Sequence, residues 1–187
     1  RQMRICLAQN EREAAQFILK PHAPLHHLHV MPQSLKNTNG DVIPVESIEI
    51  LRVGYVPVTQ PTDSVGTVAP WPDPLPPFIE PLELKQDENQ PFWVCIHTTK
   101  DTAPGIYSGT ILLEADRWKA NVPLEVEIFD FTLPDRKTCT SAFGFDASLA
   151  FRYHNAKSET DKRVVYEKYL SILRDHHISI YNPTALD

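Results

Sequence analysis

Proline is distributed very unevenly along this chain. Of its 17 prolines, 16 precede residue 139 and one, Pro183, follows it. The stretch before residue 139 also carries the whole net charge of −6, whereas residues 139–187 hold as many basic as acidic side chains. A change of composition of this kind marks a domain boundary. We therefore predict one domain over 1–133, a linker over 134–138 and the beginning of a second domain over 139–187.

The first domain carries the alternation of half-buried β-strands. From Val122 to Ile128 every second residue is aliphatic, which is the period of a strand with one face on a core. Pro123 cannot donate to a neighbouring strand, so 120–129 is either an edge strand or has Pro123 near its start. Residues 92–97 are apolar on both faces, as a strand at the centre of a sandwich is.

Shorter patterns of the same kind predict further strands at 3–8, 14–19, 26–31, 48–58 and 107–113. In 48–58 the alternation slips by one residue, which turns side chains to the wrong face unless a bulge absorbs the slip. Residues 115–119 are expected to form a hairpin loop, and 59–81 a long loop that acts as a lid or brace. About seven short strands separated by turns predict a mainly β class, an antiparallel, immunoglobulin-like β-sandwich.

The second domain changes to a helical period. Residues 142–145 predict a short strand, 158–161 supply the capping residues of a helix, and 178–181 predict another strand, which together make one βαβ unit. One such unit cannot cover both faces of a parallel sheet, so we expect the natural protein to continue beyond residue 187. The apolar stripe of the helix is predicted to consist of Val165, Tyr169, Ile172, Leu173 and His176.

Composition excludes several classes of protein. No apolar run approaches the roughly 18 residues of a membrane helix, so we predict no membrane span. The net charge of −6, with no basic stripe, argues against a nucleic-acid partner. The three cysteines cannot all pair with one another and none lies in a CxxC spacing, which argues against a disulfide scaffold or a zinc finger.

No residue pattern predicts a metal site, a cofactor site or a catalytic group. His27 and His29 would share a face of a strand, but a metal site needs a third ligand, and the sequence identifies none. Asp87 and Glu88 are expected in a solvated turn, where nothing separates their pKa values. Cys95, like Cys6, is expected to be a buried thiol. We therefore predict no metal and no cofactor.

Two polar residues follow predicted strands of the second domain. Asp146 comes after 142–145 and Asn182 after 178–181, at the carboxyl ends where α/β barrels place ligand-contacting residues. Asp146 is also a good helix cap, and Asn182, which precedes Pro183, suits a plain turn. Both residues are therefore candidates for substrate binding, with these structural alternatives open.

Seven stretches, in chain order, carry a family resemblance: 10–17, 52–58, 61–63, 72–75, 89–94, 101–109 and 130–134. Together they resemble the amino-terminal β-sandwich of bacterial proteins of the glycoside hydrolase family 123 type. In that family the sandwich precedes a TIM-type barrel, and 141–187 looks like the first strand, first helix and second strand of such a barrel. The resemblance thus implies a sandwich joined to an incomplete α/β barrel.

The resemblance implies an exo-β-N-acetylgalactosaminidase activity for the full-length protein. In family members the acetamido oxygen of the sugar attacks the anomeric carbon, and an adjacent Asp-Glu pair in the barrel orients the acetamido group and acts as general acid and base. That pair lies deeper in the barrel than this chain reaches, so Asp87 and Glu88 do not take its role. We expect no catalytic residue within 1–187 and no hydrolase activity of the chain alone.

The resemblance also implies partners and a compartment. A glycan substrate and the rest of the barrel are the expected partners, and the protein is expected to be secreted, periplasmic or on the cell surface. In one interpretation the sandwich braces the barrel through Trp71, Phe78 and the loop 59–81. In the other it is a sugar-binding or adhesion module, with Trp118 and Trp71 as aromatic platforms. We favour the brace, because a single tryptophan at a hairpin tip usually packs against its own hairpin.

Overall fold

A computed structural model describes residues 2–76, 80–136 and 139–181 of the chain. The chain divides into two compact units, Arg1–Leu133 and Pro134–Asp187, so that the predicted linker 134–138 falls in the second unit. No helix within the described ranges is long and apolar enough to cross a membrane.

The described part of the first unit consists of twelve strands, with a short 3₁₀ turn at Val45–Ser47. The strands are β1 (Met3–Gln9), β2 (Arg12–Leu19), β3 (Leu25–Pro32), β4 (Leu35–Lys36), β5 (Val42–Ile43), β6 (Ile48–Arg52), β7 (Tyr55–Val58), β8 (Ala69–Pro72), β9 (Leu82–Leu84), β10 (Gln90–His97), β11 (Gly105–Ala115) and β12 (Trp118–Thr132).

Two sheets of this unit enclose one core. The larger sheet has seven strands, with β1, β12, β11, β3 and β9 in that order and the short β4 and β5 at its side, whereas the smaller sheet has the order β2, β10, β6. Both sheets contribute to a single cluster of buried side chains, including Leu7, Leu28, Phe92, Ile96, Tyr107 and Val126. Two sheets that share one core form a β-sandwich, which confirms the predicted mainly β class. Among the described ladders of this unit, β1–β12 is the parallel one.

The strand β12 lies inside the larger sheet, between β1 and β11. Its pairing with β1 begins at Leu124, which lies opposite Met3, whereas Pro123 is opposite Thr110 of β11. Pro123 therefore sits just before the point at which β12 gains its second neighbour. Pro123 lies five residues into β12, where the strand still has β11 as its one neighbour, and such a local edge tolerates the missing proline donor. β12 as a whole is therefore not an edge strand, and Pro123 is not at its start.

The predicted strand 48–58 is two strands, because the one-residue slip takes the chain out of the smaller sheet. β6 ends at Arg52, and β7 pairs with β8 to form a separate two-stranded arm. Gly54 makes the turn: its N–H donates to the carbonyl oxygen of Pro74 at 2.7 Å, and its own carbonyl accepts from the N–H of Asp73. A Cβ on Gly54 would lie 3.1 Å from Pro74 Cγ, so the close approach favours glycine.

The hairpin between β11 and β12 is tighter than predicted. The ladder continues to the pair Ala115–Trp118, which leaves a turn of Asp116 and Arg117 in place of the expected loop 115–119. Trp118 is therefore the first residue of a strand and packs against the core.

The second unit has a strand pair and two helices in the described residues. They are β13 (Phe143–Gly144), α1 (Ala147–Tyr153), α2 (Glu159–Asp175) and β14 (Ile180–Tyr181). β13 and β14 are parallel, as in a βαβ unit, and Ser158 with Asp161 forms the predicted capping box of α2. The helix α1 was not predicted.

The predicted stripe of α2 is partly wrong. Ile172 and His176 are exposed, whereas Tyr166 is buried together with Leu173. Phe145 stacks on Tyr166 with ring centroids 5.8 Å apart and also contacts the ring of Tyr169. The buried face of α2 is therefore turned toward the aromatic residue that follows β13.

The core makes a direct prediction at Gly109 of β11. A Cβ there would lie 2.5 Å from Leu35 Cδ2 and 3.2 Å from the carbonyl oxygen of Ser34, and Leu35 is fully buried. Gly109→Ala should lower the free energy of unfolding by about 1–3 kcal/mol, because overpacking displaces the neighbouring chain. Gly144→Ala, which meets nothing within 4 Å, is the matched control for urea unfolding of both variants. Equal stability of the two variants would contradict this packing.

Candidate functional site

Asp146 acts as the cap of α1. Its Oδ1 accepts hydrogen bonds from the N–H of Ser148 at 2.8 Å and from the Ser148 hydroxyl at 2.6 Å. These bonds, that from the hydroxyl above all, lower the pKa of Asp146. The carboxylate is exposed, but it already accepts hydrogen bonds from Ser148. Asp146 is therefore a helix cap, which is the structural alternative that the sequence left open. The second candidate of this domain, Asn182, lies outside the described residues, as does Phe78.

The two tryptophans proposed as sugar platforms lie on different elements. Trp118 is half-buried at the start of β12 and contacts the core. Trp71 is 45% exposed on β8, with its indole Nε1 donating to the carbonyl oxygen of Thr67 at 3.0 Å. Of the two rings, that of Trp71 is the more open to solvent.

The arm formed by β7 and β8 presents an apolar surface. Its exposed side chains, together with those of the adjoining loops, are Tyr55, Val56, Val65, Val68, Trp71 and Leu75. The Tyr55 hydroxyl donates to the carbonyl oxygen of Asn89 at 2.9 Å and ties the arm to the sandwich. Because the backbone bonds at Gly54 fix the base of the arm as well, this surface has a defined position on the domain.

A bulge places two histidines side by side on β3. Leu25 and Leu28 are both buried, although residues three apart on a regular strand point to opposite faces. The register between β3 and β9 shifts between these leucines, and His27 has a φ of 55°. The extra residue turns both leucines inward and leaves His26 and His27 exposed.

Each histidine of β3 faces a carboxylate of its own. His26 Nδ1 lies 2.5 Å from Glu83 Oε2, and His27 Nδ1 lies 2.9 Å from Asp116 Oδ1. His29 Nδ1 lies 3.0 Å from Glu80 Oε2. The hydrogen bond that the His27 ring makes to the Asp116 carboxylate raises the pKa of His27, and the one that the His27 backbone N–H donates to Glu83 lowers the pKa of Glu83. In the described part of the chain, no three or more His, Cys, Asp or Glu side chains form a group that could hold a metal ion. The histidines thus form a row of separate contacts with carboxylates, of which those of His26 and His27 are exposed and that of His29 is partly buried.

The acidic tip at Asp87 and Glu88 is a solvated turn. Asp87 has a φ of 60°, and its N–H donates to the carbonyl oxygen of Pro21. Glu88 Oε1 lies 3.3 Å from Lys85 Nζ, and the side chains of both acids are more than half exposed. Such a tip offers no pocket in which two carboxylates could act as acid and base.

The cysteines differ from one another in environment. Cys95 is buried as predicted, and burial raises the pKa of its thiol. The prediction for Cys6 was wrong: Cys6 is exposed on β1, with Sγ 3.6 Å from Glu127 Oε2, because it lies on the side of β1 that faces away from the core.

A groove of about 420 Å³ lies over the end of the smaller sheet. Its lining includes Arg12 of β2, Glu49 of β6, Cys95 and His97 of β10, and Ser47. Arg12 Nη1 lies 3.5 Å from Glu49 Oε2, and both side chains are about half exposed. The groove thus combines a thiol with donors and acceptors that remain within reach of solvent.

Sequence reasoning missed this groove and the neighbouring Trp93. Because 92–97 is apolar on both faces, periodicity does not tell which face meets the core. The groove could be recognised only from the pairing of this segment with Arg12 on one side and Glu49 on the other. That pairing depends on the register of three strands, which the sequence alone does not give.

The fold agrees with what comparisons with known proteins find. The model of the glycoside hydrolase 123 N-terminal domain matches residues 7–115, which is more than half of the chain. The chain belongs to this family. The resemblance of the sequence to family 123 is thereby confirmed, and the matched N-terminal domain lies within the first unit.

A solved structure extends this finding to the fold of nearly the whole chain. The chain is similar to a family 123 glycoside hydrolase from Clostridium perfringens, whose structure was analysed for glycolipid glycan hydrolysis, with a TM-score of 0.83 at 17% identity. The match covers 96% of this chain and 33% of that enzyme, so the chain spans about a third of the enzyme's length.

Other comparisons are weaker. The ASH/PapD-like domain of human CEP192 gives a TM-score of 0.39 at 11% identity, over 70% of this chain and 84% of that domain. No curated protein sequence matches the chain.

The ion pair between His27 and Asp116 predicts a pH dependence. Since the pKa of His27 is raised in the folded protein, the pair stabilises the fold below the ordinary histidine pKa of about 6.5, and this contribution is lost as pH rises through the raised value. Asp116→Asn should lower the pKa of His27 in an NMR titration of its ring protons. Asp87→Asn, beside the nearly fully exposed His22, should leave that titration unchanged. An unaltered His27 pKa in Asp116→Asn would show that the bond does not form.

Proposed function

We propose that this chain is the non-catalytic β-sandwich portion of a glycoside hydrolase that acts on N-acetylhexosamine-bearing glycans of the N-acetylgalactosamine type. The observation that carries the proposal is the family 123 N-terminal domain over 7–115. The similar clostridial enzyme is about three times as long as the matched segment, which leaves most of such an enzyme to other domains. The glycan substrate and the rest of the barrel are the partners in this proposal.

The chemistry of the described residues supports a non-catalytic role. Asp87 and Glu88 are exposed at a turn, and Asp146 is engaged as a helix cap. The thiol of Cys95 has a raised pKa, so it is protonated near neutral pH and a poor nucleophile.

The arm of β7 and β8 supports a role in bracing the catalytic domain. An exposed apolar patch that is fixed in position is typical of a surface that another protein segment covers. We propose that Trp71 and the valines of the arm pack against the part of the enzyme that lies outside this chain.

The alternative function is a carbohydrate-binding or adhesion module without hydrolase activity. Trp71 is exposed enough to stack on a sugar, whereas Trp118 is half-buried against the core. Two exposed tryptophan rings on one surface would favour this alternative over the brace. Because Trp118 is half-buried, it does not supply a second ring beside Trp71.

Hydrolysis assays on a longer protein that contains this chain, beside residues 1–187 alone, test the proposal. With aryl β-N-acetylgalactosaminide and aryl β-N-acetylglucosaminide as substrates, we expect activity in the longer protein only, with preference for the galactosaminide. Activity of 1–187 alone would contradict the non-catalytic role. Inactivity of a correctly folded longer protein would favour the binding module.

The brace is tested in the same two proteins by Trp71→Ala. The exposed indole donates only to Thr67 in the arm itself, so the variant should barely change the unfolding midpoint of 1–187. In the longer protein it should lower the midpoint by several degrees, because the indole would lose the surface that it packs against. Ile18→Ala, an exposed apolar change on the smaller sheet, is the control. Equal effects of Trp71→Ala in the two proteins would contradict the brace.

A further inference from the structure

The smaller sheet has one face on the core and one face toward solvent. Phe92, Val94 and Ile96 of β10 are completely buried in the core. Successive side chains of a strand point to opposite faces, so the alternate residues of β10 point outward. We call the solvent side of this sheet the outer face; it consists of Trp93, Cys95 and His97 of β10, Arg12, Ala14, Gln16 and Ile18 of β2, and Glu49 and Leu51 of β6.

One end of the outer face is aromatic and apolar. Trp93 is half-buried and lies directly between Gln16 of β2 and Leu51 of β6. Ile18, further along β2, is 59% exposed. A half-exposed indole beside aliphatic side chains offers a flat apolar surface with a hydrogen-bond donor at its edge.

The other end is the polar groove. Cys95 follows Trp93 by two residues, so the groove begins about 7 Å along the same face of β10. Arg12 supplies N–H donors and Glu49 supplies acceptors, and the two side chains lie 3.5 Å apart. His97 and Ser47 add groups that can donate or accept. The volume of about 420 Å³ falls within the range of small-molecule sites.

The charge of the groove selects against anions. Arg12 is matched by Glu49, and Glu46 adds a second carboxylate, so the walls carry more negative than positive charge. A phosphate or carboxylate ligand would meet repulsion there, whereas uncharged hydroxyl groups can donate to Glu49 and accept from Arg12. A ligand with a ring of hydroxyls and an apolar C–H face matches both ends of the surface.

We propose that the outer face binds a neutral saccharide, with one sugar ring on Trp93 and the next in the groove between Arg12 and Glu49. The site lies on the sandwich itself and is built by β2, β6 and β10. The choice of N-acetylhexosamine as the sugar to test rests on the proposed function; the position of the site and the neutral charge of the ligand do not.

The three tryptophans of the chain provide the test, because each indole N–H gives its own NMR signal. Residues 1–187 are labelled with ¹⁵N and titrated with N-acetylgalactosamine and with the tetramer of β-1,4-linked N-acetylglucosamine. We expect the Trp93 signal to shift with a Kd of about 1 mM, and those of Trp71 and Trp118 to stay in place. No Trp93 shift up to about 50 mM of either sugar, or a shift confined to Trp71 or Trp118, would overturn the proposal.

Two variants connect the shift to the groove. Glu49→Gln keeps the size of the side chain but removes the charged acceptor, and it should weaken binding about tenfold. Glu114→Gln removes the carboxylate of the exposed pair with Lys119 on the larger sheet and is the matched control, which should bind as the original protein does. Trp93→Phe keeps an aromatic ring at this position of the outer face and should weaken binding without unfolding the sheet. Equal affinity of all four proteins would overturn the proposed site.

The experiments distinguish failure of the outer-face site from failure of the proposed function. Hydrolysis of aryl galactosaminide by the longer protein, with no saccharide binding by 1–187, would overturn the outer-face site alone. Binding at Trp93 by 1–187, with no hydrolysis by the longer protein, would overturn the enzyme assignment and leave the site.

Discussion

Phe92, Val94 and Ile96 of β10 carry the contact between the two sheets, and all three are inaccessible to solvent. Phe92 also stacks on Phe17 of the neighbouring strand, with ring centroids 5.1 Å apart. Burying three such side chains against the larger sheet is worth several kcal/mol and fixes the register of β10. The same register turns the alternate residues Trp93, Cys95 and His97 outward, so the core of the domain determines its outer surface.

Two departures from regular strand geometry determine which other side chains the domain exposes to solvent. At His27 the extra residue of the bulge keeps both leucines of β3 inside and places the histidines in solvent. At Gly54 the chain leaves the smaller sheet and forms the arm that carries Trp71. In each case a local backbone conformation, imposed by packing on both sides of it, creates an exposed surface.

The sequence predicted those features that depend on local periodicity. The alternation in 120–129, the capping box at Ser158 and the sandwich class all follow from neighbouring residues, and so does the family resemblance. The slip in 48–58 was visible too. Its outcome was not, because the exit from the sheet depends on Pro74, twenty residues further along the chain.

Features that depend on long-range pairing were missed. The outward direction of Trp93 is invisible in an apolar segment without alternation, and the groove forms only when Arg12 and Glu49 arrive from two other strands. The predicted stripe of α2 was partly wrong for a related reason: Phe145, which lies outside the helix, stacks on Tyr166 and so decides which face of α2 is buried. The hydroxyl of Tyr166 lacks a hydrogen-bond partner among the described residues.

The two sheets form one core within 1–133, and every proposed surface of this domain rests on that core. The most direct test is urea unfolding of residues 1–133 produced alone, followed by fluorescence and circular dichroism. We expect a single cooperative transition, coincident for both probes, as a domain with its own core shows. A gradual loss of signal without a cooperative transition would contradict the claim.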